Sequence, residues 1–85
     1  MAKFEIAKIL ATREAKLYQL QEGARASEAV ARTPELREMF HAAARDYGIS
    51  ATEVQMLRDE LGIPAHIWNR ARGQADAERC QALRA

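Results

Sequence analysis

Glu38 and His41 stand three residues apart in Pro34-Glu-Leu-Arg-Glu-Met-Phe-His41, a spacing that matches a metal-ligand pair. Positions i and i+3 of a helix share a face, so a carboxylate and an imidazole placed there can hold one cation. Both residues fall off the apolar stripe of their segment, so they would meet a metal only at an outer contact between subunits, with Glu28 or Glu35 as further ligands. A solvated helix face accounts for the same pair without a metal, and no bound metal is expected. His66 beside Ile67-Trp68 reads as a polar residue opening a helix, and Cys80 follows Arg79 in a polar stretch that supplies no base. No glycine-rich phosphate loop, Ser/His/Asp set or pair of inward carboxylates can be assembled. Neither an enzyme nor a cofactor is therefore expected.

The elements that carry these residues are helices. Between Pro34 and Leu61 the larger side chains recur at Leu36, Phe40, Ala43, Tyr47, Ser50, Val54, Leu57 and Leu61, a 4-3-4-3 spacing that keeps one stripe against a packed partner. Thr33 can cap this helix, Pro34 suits its first position, and Gly62 followed by Pro64 ends it. Residues 3–32 repeat the spacing at Ile6, Leu10, Leu17, Leu20, Ala24, Ser27 and Ala31, with Arg13 the one charge on the stripe. Two striped helices joined by a short connection must run antiparallel, so the spacing predicts a hairpin of helices over 3–32 and 34–61. Counting outward from the connection sets Tyr18 against Gly48, and Gly23 against Ala43 to Tyr47. Residues 64–83 then form a C-terminal helical tail that Gly73 can break. Ile63, Ile67 and Trp68 would pin this tail to the hairpin and are also the expected docking surface for a protein partner.

With 85 residues the chain is one domain, 1–85, near the lower limit for a self-sufficient core. A hydrophobic share of 48% with 29% charged residues fits a soluble globular chain, but only 6% is aromatic and much of the rest is alanine. Such a core is thin. Two striped helices also leave an apolar face open, and a second copy is the least costly cover, which predicts an all-α homodimer in the form of a four-helix bundle. Net charge of +1 gives no global drive toward nucleic acid or an anionic membrane, and no apolar run approaches a membrane span. Charges thread the N-terminal apolar residues, unlike a signal peptide, and a lone cysteine suits a reducing compartment, so a cytoplasmic location is expected. The function that fits is a non-catalytic, oligomeric interaction or scaffold module.

The middle of the second helix admits another reading. Ala44, Gly48, Ile49, Val54 and Leu57 fill the small, turn and apolar places of a helix-turn-helix motif, and Ser50-Ala-Thr-Glu53 has the spacing of a capping box. Phe40 to Asp59 thus resembles the helix-turn-helix DNA-binding motif. That resemblance implies a small transcriptional regulator presenting Ser50, Thr52, Gln55 and Arg58 to a major groove. Glu53, Asp59 and Glu60 neutralise the same face, and the stripe crosses the supposed turn in register. A related pattern recurs fourteen residues on, since Asp46-Tyr-Gly-Ile-Ser-Ala and Glu60-Leu-Gly-Ile-Pro-Ala share apolar-Gly-Ile-X-Ala.

A second resemblance covers Leu17 to Gly62. Pro34-Glu-Leu-Arg-Glu-Met-Phe, the closing Glu53-Val-Gln-Met-Leu-Arg-Asp-Glu-Leu-Gly62 and the earlier Gln21-Glu-Gly-Ala-Arg-Ala-Ser-Glu-Ala-Val look like parts of a ferritin-like helical hairpin. The resemblance implies a continuous helix through Gly48. Iron-binding members carry Glu-x-x-His at inward positions that hold Tyr47 and Ser50 here, so the fold is implied and the iron chemistry is not.

Overall fold

Local chemistry sets the ends of three helices. The computed structural model describes residues 2–84, which form α1 (Lys3–Val30), α2 (Pro34–Glu60) and α3 (Ala65–Arg84), with no strand among the described residues. No proline interrupts α1. It stops at Ala31, whose backbone is extended, ahead of a proline that disfavours helical geometry in the residue before it. Thr33 is accordingly extended, and its Oγ1 accepts a hydrogen bond from the Leu36 N–H at 3.2 Å, capping α2 with Pro34 in the first turn.

The far end of α2 closes in a Schellman motif. Gly62 takes a left-handed φ of 64°, the Ile63 N–H donates to the Arg58 carbonyl at 3.2 Å, and the Gly62 N–H donates to the Asp59 carbonyl at 3.1 Å. Pro64 then opens α3, its carbonyl accepting from the Trp68 N–H at 3.0 Å. α2 is unbroken through Gly48-Ile49-Ser50, and α3 is unbroken through Gly73, where a break had been open.

α1 is the middle of the molecule. It packs against both α2 and α3, while these two do not pack along each other. They meet only at the corner, where the Arg58 guanidinium lies 5.2 Å from the centre of the Trp68 ring. α2 runs back antiparallel to α1, as Glu28–His41 near one end and the Lys3 ammonium on the Gly62 carbonyl at the other show. α3 starts beside Phe4, whose ring sits 4.4 Å from the Arg70 guanidinium, and then runs the same way as α1, with Lys8 paired to Glu78 at 2.7 Å.

The contact lines are built from short side chains. Ala7, Ala11, Ala51, Ala71 and Ala75 are five of the nine buried residues in the core cluster, joined by Leu17, Val54, Ile63 and Trp68. Small residues let helix backbones approach closely and put the larger chains elsewhere. The expected stripes are therefore turned by about one residue. In α2 the inner line is Phe40, Ala44, Tyr47, Ala51, Val54 and Arg58, so Phe40, Tyr47 and Val54 keep their places while Leu36, Leu57 and Leu61 are exposed. In α1 the buried members are Ala7, Ala11, Glu14, Leu17 and Ala24; Leu20 is exposed and Glu14, not Arg13, is the charge drawn inward. The tyrosine–glycine matches fail for the same reason. Gln21 fills the space over Gly48, with its Nε2 2.6 Å from where a Cβ would sit, and nothing lies within 4 Å of such a position at Gly23.

The result is an open assembly. Its extents are 47 × 34 × 17 Å, and its radius of gyration is 15.2 Å, against about 12 Å for a compact domain of this length. The accessible surface is 6151 Å², about 1,100 Å² above a compact monomer of this mass.

Candidate functional site

Residues singled out for chemistry are mostly occupied inside the chain. The His41 Nδ1 lies 3.0 Å from Oε1 of Glu28, an exposed cross-helix pair that the hairpin register creates. Glu38 lies on the same exposed surface of α2. Among the described residues no three His, Cys, Asp or Glu side chains converge in a way that could hold a metal. Cys80 is an exposed free thiol and His66 is exposed at the start of α3.

The four residues of the DNA-directed reading do not share a surface. Ser50 is half-buried, and the Thr52 hydroxyl donates back to the Gly48 carbonyl at 3.1 Å within the helix. Gln55 Nε2 donates to the Tyr18 hydroxyl at 3.3 Å, and Arg58 stacks on Trp68 with its Nε 3.5 Å from Asp59. These positions spread around α2, because residues two or three apart differ by most of a quarter turn or more on a 3.6-residue helix. The helix also carries no turn ahead of them.

Ile63, Ile67 and Trp68 act within the molecule. Ile63 and Trp68 are buried and Ile67 packs against the same cluster, so the surface expected to receive a partner is spent on holding α3 to the hairpin. The Trp68 ring fills the corner that alanines alone could not.

One feature escaped the sequence reading, and a second was expected only in outline. Glu14 is 4% exposed, and its Oε2 is buried with no hydrogen-bond partner. It helps line a recess of about 290 Å³ between α1 and α3 with Tyr18, Glu22, Arg72, Asp76 and Arg79. A buried carboxylate oxygen left without a donor costs stability. The only signal for it in the sequence was the alanine spacing Ala7, Ala11, Glu14, which marks the line facing α3.

The second feature is the apolar surface left open. Ile9, Met39, Met56 and Leu57 are 59%, 54%, 57% and 45% exposed, and Leu20, Leu36 and Leu61 are exposed as well. Among the described residues even the best-buried large side chains, Trp68 and Leu17, keep 3% and 5% of their surface exposed. The molecule shelters alanines and leaves several leucines and methionines exposed. Among the described residues no helix is long and apolar enough to cross a membrane. Comparison with protein-family models, with curated proteins and with solved structures finds no match to this chain.

Proposed function

We propose that the chain is a non-catalytic interaction module that works as an oligomer, the α1–α2 hairpin pairing with a second copy in a four-helix bundle. The observation that carries the reading is the placement of leucine and methionine outside and alanine inside. Burying an exposed leucine is worth roughly 1.5–3 kcal/mol relative to leaving it in water, so a face holding several is a strong drive to association. The surface in excess of a compact monomer is of the order that one subunit of a stable dimer buries, about 800 Å².

A concentration series by sedimentation velocity tests it. A monomer–dimer equilibrium is expected, shifted toward monomer by tenfold or more in Leu57→Glu. Leu57 is 45% exposed in the single chain, so a charge there should leave the helicity of the monomer nearly unchanged. A wild-type chain that stays monomeric at the highest soluble concentration overturns the reading.

A further inference from the structure

Part of the exposed apolar surface lies on one face of the hairpin, and the charges of that face are sorted. Successive residues turn by about 100° around a right-handed helix. On α1, Ile9, Arg13, Lys16 and Leu20 lie about a quarter turn to one side of the line that meets α2. On α2, Met39, Asp46, Glu53 and Leu57 lie about a quarter turn or somewhat more to the same rotational side of its line toward α1. Because the two helices run in opposite directions, equal rotations bring both strips to the same face of the hairpin. All of these residues are exposed. The charges on the α1 strip, Arg13 and Lys16, are basic; those on the α2 strip, Asp46 and Glu53 with Glu60 further out, are acidic. Glu5, beyond Ile9, lies level with the loop after Leu61.

A second copy can cover this face about a two-fold axis in one of two orders. With the axis across the helices, each α1 lies on the other α1 and the two acidic strips oppose each other. With the axis along the helices, each α1 lies on the α2 of the other copy, and basic meets acidic. We infer that the second copy docks in the second order, with Arg13 and Lys16 of one chain flanking Glu53 of the other. This rests on the oligomeric reading above and adds its geometry.

The register agrees with the charges. An axis along the helices keeps every residue at its own height. The contacts Tyr18–Gln55, Gln21–Ala44 and Glu28–His41 set the height scale. On that scale Lys16 is level with Glu53, and Ile9 is level with Glu60, between Leu57 and Leu61. Leu57 and Leu61 of one chain therefore meet Ile9 of the other, with the Lys16–Glu53 ion pair two turns along the same rim. Opposite charge at such a rim guides the choice of partner surface, and like charge opposes it.

Charge reversal by pairs tests the order. Glu53→Lys alone and Arg13→Glu/Lys16→Glu alone are each expected to weaken the dimer of the full chain by about tenfold or more. An equimolar mixture should restore wild-type affinity, because both rim contacts of the mixed dimer are then attractive. The substituted positions are exposed, and circular dichroism checks that helicity is kept. A Glu53→Lys dimer tighter than wild type means acidic strips face each other, and it overturns the order. A wild-type dimer indifferent to all three substitutions overturns the order while the oligomer stands. A wild-type monomer overturns both.

Discussion

Asp46-Tyr-Gly-Ile-Ser-Ala51 and Glu60-Leu-Gly-Ile-Pro-Ala65 carry the same apolar-Gly-Ile-X-Ala pattern, and the chain treats them in opposite ways. The first lies inside α2, and the second ends it. Gly48 keeps a helical backbone, while Gly62 is the positive-φ glycine of the chain. Glycine permits a left-handed turn without demanding one. The residue two places on makes the difference. Ser50 has an N–H to continue the helical ladder. Pro64 has none, and it disfavours helical geometry at Ile63. Surroundings reinforce each outcome. The Gln21 amide lies over Gly48 and donates to the Ala44 carbonyl at 3.1 Å, and two return hydrogen bonds fix the turn at Gly62.

Ser50→Pro is the largest way to break the comparison. It removes a ladder hydrogen bond in mid-helix and drives the ring against the carbonyl one turn back, so a loss of about 3 kcal/mol or more is expected. Circular dichroism should show less helix and thermal melting a lower midpoint. An unchanged melt would mean that α2 already breaks there in solution. Gly62→Ala comes next. A Cβ at φ of 64° should cost about 1–2 kcal/mol, read by urea denaturation.

Pro64→Ser should matter less. Gly62 and its return bonds keep the turn, so a change of about 1 kcal/mol or less is expected, and chemical shifts at Leu61 to Ile63 should stay non-helical. Helical shifts there would make Pro64 the sole stop. The smallest effect is expected for Gly48→Ala. The gain in helix propensity of about 1 kcal/mol is offset by displacing the flexible Gln21 amide from Ala44, leaving a net change within about 0.5 kcal/mol. Gly73→Ala, with nothing within 4 Å of the new methyl group, should show the propensity gain undiminished in the same denaturation assay.

The helix ends were legible because their causes are local: Thr33 and Pro34 start α2, and Gly62 with Pro64 stops it. Which side of each helix turns inward was not. Ranking side chains by size pointed to Leu36, Leu57 and Leu61, whereas close approach favours Ala44 and Ala51, one residue round. α1 has two neighbours at once, and one apolar stripe cannot describe a helix that uses two lines. The same rotation explains the candidate site. The sequence set Glu28 beside His41 only across a subunit contact, whereas the hairpin register pairs them within one chain at 3.0 Å, and the inward engagement of Gln55 and Arg58 depends on a rotation that no local signal fixed.

α3 has a further consequence. Past the Trp68 corner it rests on α1, and beyond Ala75 its described side chains are exposed apart from the half-buried Asp76. Few apolar contacts resist its opening, so its last two turns form a separate, weakly protected unit. Amide hydrogens from Ala77 to Leu83 should exchange through local fraying, orders of magnitude faster than those around Leu17 and Val54, which await opening of the hairpin. Trp68 sits at the fixed end of that lever. Its fluorescence will report the loss of the corner and stay silent while the tail peels away, so the two probes will record different unfolding events in the same molecule.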